Sequence, residues 1–123
     1  MNGNNFLLDT NAVLYLLNGD ETLADFLFEK QLYISIITEM ELLSYKKITV
    51  KEQKQIQEFI NELEVLNINQ AIKNTTIITK QKSSLKLPDA IIAATSIVYQ
   101  ITLLSADKQF KTIENLDLIF YES

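Results

Sequence analysis

The sequence predicts an α/β protein of three layers, α/β/α, built on a central, mainly parallel sheet of five strands. Three observations carry this. Short apolar runs alternate along the chain with longer stretches of helical periodicity, the order a parallel sheet with crossover helices requires. The strand runs are apolar almost throughout, FLL at 6–8 and ITLL at 101–104, as strands covered on both faces must be. Only two glycines and one proline punctuate 123 residues. With no repeat, low-complexity tract or linker, residues 1–123 read as one domain.

The elements follow in order. Phe6, Leu7 and Leu8 form a first strand that ends at Asp9. Asn11 to Leu17 is helical and stops at Asn18-Gly19. Asp20 to Glu29 is a second helix, with Leu23, Phe26 and Leu27 on one face. Leu32 to Ile37, rich in β-branched residues, is the second strand. A helix from Thr38 to about Tyr45 comes next. Thr49 starts another, because Glu52 three residues on completes a capping box. Its Ile56, Phe59, Ile60 and Leu63 fall at the spacing of an amphipathic helix. Val65 to Ile68 is a third strand and Ala71 to Lys82 a helix. Pro88 suits the first position of a helix that runs to about Tyr99. Ile101 to Leu104 is the fourth strand, Lys108 to Phe110 a turn or short helix, and Leu118 to Tyr121 the last strand.

Composition narrows the chemistry. Apolar residues make up 47% and charged residues 22%, the balance of a globular chain. There is no cysteine, so disulfides, thiolate nucleophiles and cysteine-ligated metals are excluded. There is no histidine, which removes the Ser–His triad and the usual proton shuttle near pH 7. All eleven basic residues are lysine, so no guanidinium grips phosphate in two places. The net charge of −5 argues against non-specific nucleic-acid binding through a basic face and suits a basic partner. Residues 1–5 lack the cationic start of a signal peptide. The uncharged stretch from Ala90 to Ala106 is short for a membrane span and contains Thr95, Ser96, Gln100, Thr102 and Ser105. A cytoplasmic protein with no membrane partner is the expectation.

In a parallel α/β sheet the site lies beyond the carboxyl ends of the strands. Asp9 ends strand one, Glu41 lies in the first turn of the helix after strand two, and Asp107 follows strand four. Asp89 opens the most apolar helix of the chain, although the topology does not by itself bring it to that edge. Each acid has a plain structural alternative. Asp9 and Asp107 are good helix caps, Glu41 stands three after Thr38 as in a capping box, and Asp89 suits a helix N-terminus.

Together the acids and their surroundings resemble PIN-domain ribonucleases, in particular the small VapC-type toxins of toxin–antitoxin systems. LLDTNAVLYLL resembles the first motif of that family, ISIITEMELL the second, LPDAIIAATSIVYQ the third and TLLSADKQFKTIENLDLIFYES the fourth with its C-terminal strand. The likeness runs in order over essentially the whole chain. It implies a PIN-like fold, with Asp9, Glu41, Asp89 and Asp107 as catalytic metal-binding acids and Asn11 and Ser105 as polar residues that support them. It also implies a Mg²⁺ or Mn²⁺ cofactor, an RNA substrate, a cognate antitoxin and a homodimer. The sequence departs from the family pattern where Ser44 and Tyr45 take the place of a frequent glycine, and in having no arginine.

The residue types suit that chemistry. Hydrolysis of a phosphodiester builds negative charge on oxygen, and a chain without arginine or histidine needs a cation to offset it. Hard divalent ions prefer carboxylate oxygens, and crowded carboxylates repel one another until a cation joins them. Lys46, Lys47, Lys82, Lys86 and Lys108 are candidates for contacts to the RNA backbone. A phosphatase of the haloacid-dehalogenase type is disfavoured because Asn11 stands where a second aspartate is needed. A phospho-receiver is disfavoured because Asn67 and Asn69 stand where an acceptor aspartate belongs. The alternative function is a catalytically weak PIN-like module that acts by binding a protein partner.

Overall fold

The computed structural model describes residues 3–122. The chain runs β1 (Asn5–Leu8), α1 (Thr10–Leu17), α2 (Glu21–Leu27), β2 (Gln31–Ser35), α3 (Ile36–Leu43), α4 (Val50–Asn61) and β3 (Glu64–Leu66). It continues through α5 (Gln70–Lys82), α6 (Leu87–Tyr99), β4 (Thr102–Ser105), a 3-10 turn (Lys108–Thr112) and β5 (Leu118–Phe120). All strand pairs are parallel, in the order β3-β2-β1-β4-β5.

Alternation of side chains along the strands builds two cores, one on each face. Phe6, Leu8, Ile34 and Leu104 meet Ala12 and Val13 of α1, Leu23 and Leu27 of α2, and Ile56 and Ile60 of α4. On the opposite face Leu7, Leu66 and Leu103 meet Ala90, Ile92 and Ala93 of α6, with Leu85 and Phe110. The three layers follow from this split.

The connections set the site. From β1 the chain builds one half of the sheet through β2 to β3, then returns to lay β4 on the other side of β1. The order therefore reverses between β1 and β4, and a crevice opens beyond their carboxyl ends. Asp9 and Ser105 stand there. Asp9 N donates to Leu104 O at 3.4 Å, which joins the two strands as they end.

Several boundaries differ from the sequence reading. Ile36 and Ile37 belong to α3 and not to the second strand. Ser35 rather than Thr38 is the N-cap, its hydroxyl accepting from Ile37 N at 3.1 Å. Two residues of the SIIT stretch are good caps, and the earlier one wins. Glu41 is consequently the sixth residue of α3 rather than a first-turn residue, and its capping-box alternative falls. Helix α2 stops at Leu27, because Phe28 leaves helical geometry and Glu29 takes a left-handed backbone at φ 62°. The third strand begins at Glu64 and ends at Leu66. Phe26, placed with the core face of α2, is 46% exposed, although its ring packs against Phe6 with centroids 5.4 Å apart. The capping box of α4 is present, Thr49 and Glu52 each accepting from the other's backbone N–H at 3.0 Å. Among the described residues no helix is long and apolar enough to cross a membrane.

Candidate functional site

Asp9 ends β1 and caps α1. Its Oδ1 accepts from Ala12 N at 2.8 Å, and its Oδ2 accepts from the Ser105 hydroxyl at the end of β4. The side chain is only 4% exposed. Ser105, fully buried, also accepts from Asp107 N at 2.9 Å. One hydroxyl thus ties the first acid to the turn that carries the fourth. Asp107 in turn caps the 3-10 turn, its Oδ1 accepting from Gln109 N at 2.9 Å.

Glu41 reaches the crevice from α3. Its Oε1 accepts from Thr10 Oγ1 at 2.6 Å, and Thr10 is the first residue of α1. Asp89, in the first turn of α6, is half-buried. Lys86 caps that helix without a side-chain hydrogen bond, so its first turn is left to Pro88 and Asp89. Asp9, Glu41, Asp89 and Asp107 line a single cleft of about 460 Å³, together with Thr10, Asn11, Ser44 and Tyr45.

The cleft disfavours its own charges. Burial pushes the Asp9 carboxyl up to about 6; the hydrogen bonds from Ser105 and Ala12 pull it down, and the charges of Asp89 and Asp107 add to the rise. Burial also raises Asp89, followed by the charges of Asp107 and Glu41, against the opposing pull of Lys86. Repulsion between carboxylates turned into one crevice is what a hard cation relieves, and the donors are all oxygen, so this set fits Mg²⁺ or Mn²⁺. Among the described residues no group of three or more His, Cys, Asp or Glu side chains stands ready to hold one ion. The acids share a cleft rather than a closed ligand shell.

The family model of the PIN domain matches residues 6–116. This chain belongs to the PIN-domain family. Among solved structures, a toxin–antitoxin complex from Klebsiella pneumoniae is 30% identical, with a TM-score of 0.81 over 95% of this chain and 98% of that one. VapBC2 from Rickettsia felis, bound to a DNA fragment from its promoter, is 24% identical, with a TM-score of 0.79 over 96% and 99%. VapBC-1 from nontypeable Haemophilus influenzae is 22% identical, with a TM-score of 0.77 over 94% and 97%. No curated protein matches by sequence.

Within this PIN domain, sequence reasoning passed over Thr10, Ser44 and Tyr45, which share the cleft wall. Thr10 had one visible signal, its place immediately after Asp9. The polar residues Asn11 and Ser105 do reach the site, Asn11 on the cleft wall and Ser105 beneath Asp9. The candidate lysines divide. Lys86 lies close enough to Asp89 to lower its carboxyl, and Lys108 directly follows Asp107. Lys82 lines a separate cavity between α5 and α6. Lys46 and Lys47 line a larger groove of about 760 Å³ between α1 and α4, whose apolar wall includes Leu14, Leu17, Ile48 and Phe59. Tyr45 lines both the groove and the acidic cleft, so the two are neighbours.

Proposed function

We propose that this PIN domain is a metal-dependent endoribonuclease and the toxin of a toxin–antitoxin pair. The observation that carries the reading is the burial of Asp9, pushed up to about 6, in a cleft it shares with three further carboxylates and no histidine or arginine. An asparagine would cap α1 without burying a charge, so an acid so disfavoured makes sense where a cation completes the site.

Asp9, Glu41, Asp89 and Asp107 would hold Mg²⁺ or Mn²⁺ through carboxylate oxygens. When bound, the ion offsets the charge that develops on phosphate and makes an attached water more acidic. Ser105 keeps Asp9 turned into the crevice and, through Asp107 N, sets the distance of the fourth acid. Asn11, exposed on the cleft wall, is placed to donate to a non-bridging phosphate oxygen. Lys86, whose charge reaches Asp89, and Lys108, next to Asp107 in the chain, would contact the RNA backbone. Water attacks phosphorus in line. The bond from phosphorus to the 3′ oxygen breaks, and the products carry a 5′-phosphate and a 3′-hydroxyl.

The partner reading rests on the groove between α1 and α4. Its wall is largely apolar, and its charged residues are Glu52, Glu58 and Glu62 against Lys46 and Lys47, a net acidic lining. Tyr45 is the wall it shares with the acidic cleft. This shape and charge suit an amphipathic, basic segment of an antitoxin, with the apolar side in the groove and a cation directed to the acids. The 30% identical neighbour is a toxin–antitoxin complex, which supports this reading.

The test is cleavage of single-stranded RNA by the purified protein, with and without Mn²⁺, for the wild type and Asp9→Asn. Cleavage that needs Mn²⁺ and disappears in the variant supports the proposal. Metal-independent cleavage contradicts the role of the ion, and no cleavage under any metal with antitoxin binding intact leaves a binding module instead.

A further inference from the structure

Glu41 is the one acid of the four whose side chain is exposed, and a long, solvated carboxylate has many rotamers to lose before it serves a site. Its position is nevertheless tied to the interior. Thr38, one turn earlier on α3, is fully buried. Its hydroxyl lies 3.2 Å from Thr10 Oγ1, and Thr10 Oγ1 lies 2.6 Å from Glu41 Oε1. The direction of this chain follows from counting protons. An ionised carboxylate only accepts, so Thr10 gives its single proton to Glu41. Thr10 then has none left for Thr38, and Thr38 must be the donor between the two threonines. A buried hydroxyl without a partner is costly, so Thr38 holds Thr10 in the rotamer that aims at Glu41. Both threonines are β-branched and stiff at χ1, which adds to the constraint.

From this geometry we infer that Thr10, buttressed by Thr38, is a positioning residue that holds Glu41 in the cleft with Oε1 capped and Oε2 left to take a cation. This rests on the nuclease reading above. The hydroxyl acts before any ion arrives. It selects the Glu41 rotamer in advance and reduces the side-chain entropy lost when the site closes around the ion. It also ties the start of α1 to α3, so the walls that carry Asp9 and Glu41 keep their spacing.

The experiment uses Thr10→Val, which keeps the shape and removes the hydroxyl, Thr10→Ser, which keeps the hydroxyl, and Thr38→Val. Two properties are read on the full chain at pH 7.5. The first needs no metal: the proton couplings of the Glu41 methylenes by NMR. The wild type and Thr10→Ser should show one dominant rotamer, and Thr10→Val an average. The second is uptake of Mn²⁺, followed by the electron paramagnetic resonance signal of the free ion. Thr10→Val should weaken it roughly tenfold, Thr38→Val by less, and Thr10→Ser by no more than about twofold. Thr10→Val also strands the buried Thr38 hydroxyl and should melt below Thr10→Ser, so both properties are read well below either melting temperature, where every variant is folded. Mn²⁺ uptake unchanged in Thr10→Val overturns the role of Thr10 while leaving the nuclease reading intact. So does an equal loss in Thr10→Ser, or a Glu41 already averaged in the wild type. A wild type that takes up no Mn²⁺ overturns the nuclease reading and the role of Thr10 with it.

Discussion

The Ser105 hydroxyl donates to Asp9 Oδ2 between the ends of β4 and β1, joining residues 96 positions apart. The bond places the acid of the first strand against the strand that leads to Asp107. It is also the strongest of the interactions that oppose the rise of the buried Asp9 carboxyl. Replacing Ser105 by Ala should raise the Asp9 pKa further and destabilise the protein by about 1.5–3 kcal/mol at neutral pH, as for a lost hydrogen bond to a charged group. Urea unfolding at pH 7.5 and pH 4.5 measures it. The loss should shrink at the lower pH, where Asp9 is protonated and the bond is between neutral groups.

Asp9 itself makes stability depend on pH. Its folded pKa of about 6 lies above the 3.8 of an ordinary aspartate. The folded state therefore binds the proton more tightly, and the stability this confers is full below about 3.8 and lost as pH rises through about 6. The difference corresponds to about 3 kcal/mol at most, since each pKa unit is worth 1.36 kcal/mol. Asp20 and Glu52, whose carboxyls are lowered by hydrogen bonds, act in the opposite sense at acid pH. The comparison is thus wild type against Asp9→Asn, which can still cap α1. The variant should be the more stable at pH 7.5, with the gap closing by pH 4. A gap that stays constant with pH would mean that Asp9 does not titrate in this range.

Divalent metal should relieve the same repulsion. Millimolar Mn²⁺ or Mg²⁺ should raise the melting temperature at pH 7.5 by binding only the folded state. Asp89→Asn should raise the metal-free melting temperature and remove most of the response. A variant that is less stable and responds fully would make Asp89 a helix-end residue and nothing more.

The groove offers a separate prediction. Phe59→Ala, on the groove wall outside the acidic cleft, should leave RNA cleavage within about twofold at temperatures where the variant is folded. It should weaken a basic antitoxin by tenfold or more, chiefly through faster dissociation. Raising salt should slow association instead, because charge steers the encounter. Surface plasmon resonance from 50 to 500 mM salt separates the two effects. Association that ignores salt would place the partner elsewhere.

Much of this site is visible in the sequence because strand ends are. Asp9 and Ser105 follow apolar runs, and the topology brings such residues to one edge. Asp89 is different. Its helix leads into β4, and only the packing of α6 against the sheet turns its first turn into the crevice. Glu41 was assigned to the wrong turn of its helix, because Ser35 and Thr38 are equally good caps by local chemistry. The choice rests on where β2 ends in register with β1 and β3. Thr10 carried no signal of its partner, since a hydrogen bond to a residue 31 positions away has no local signature. Thr38 reads from sequence as a helix start, and nothing local marks it as fully buried.

The central claim is that these four carboxylates hold a divalent ion in the cleft. Crystals soaked in Mn²⁺ and measured for anomalous scattering test it most directly. The expected result is a peak in the cleft within about 2.5 Å of a carboxylate oxygen of Asp9 or Asp89, the reach of hard-cation ligation, and its loss in Asp89→Asn. A fully occupied peak outside the cleft, or none inside it at saturating Mn²⁺, would contradict the claim.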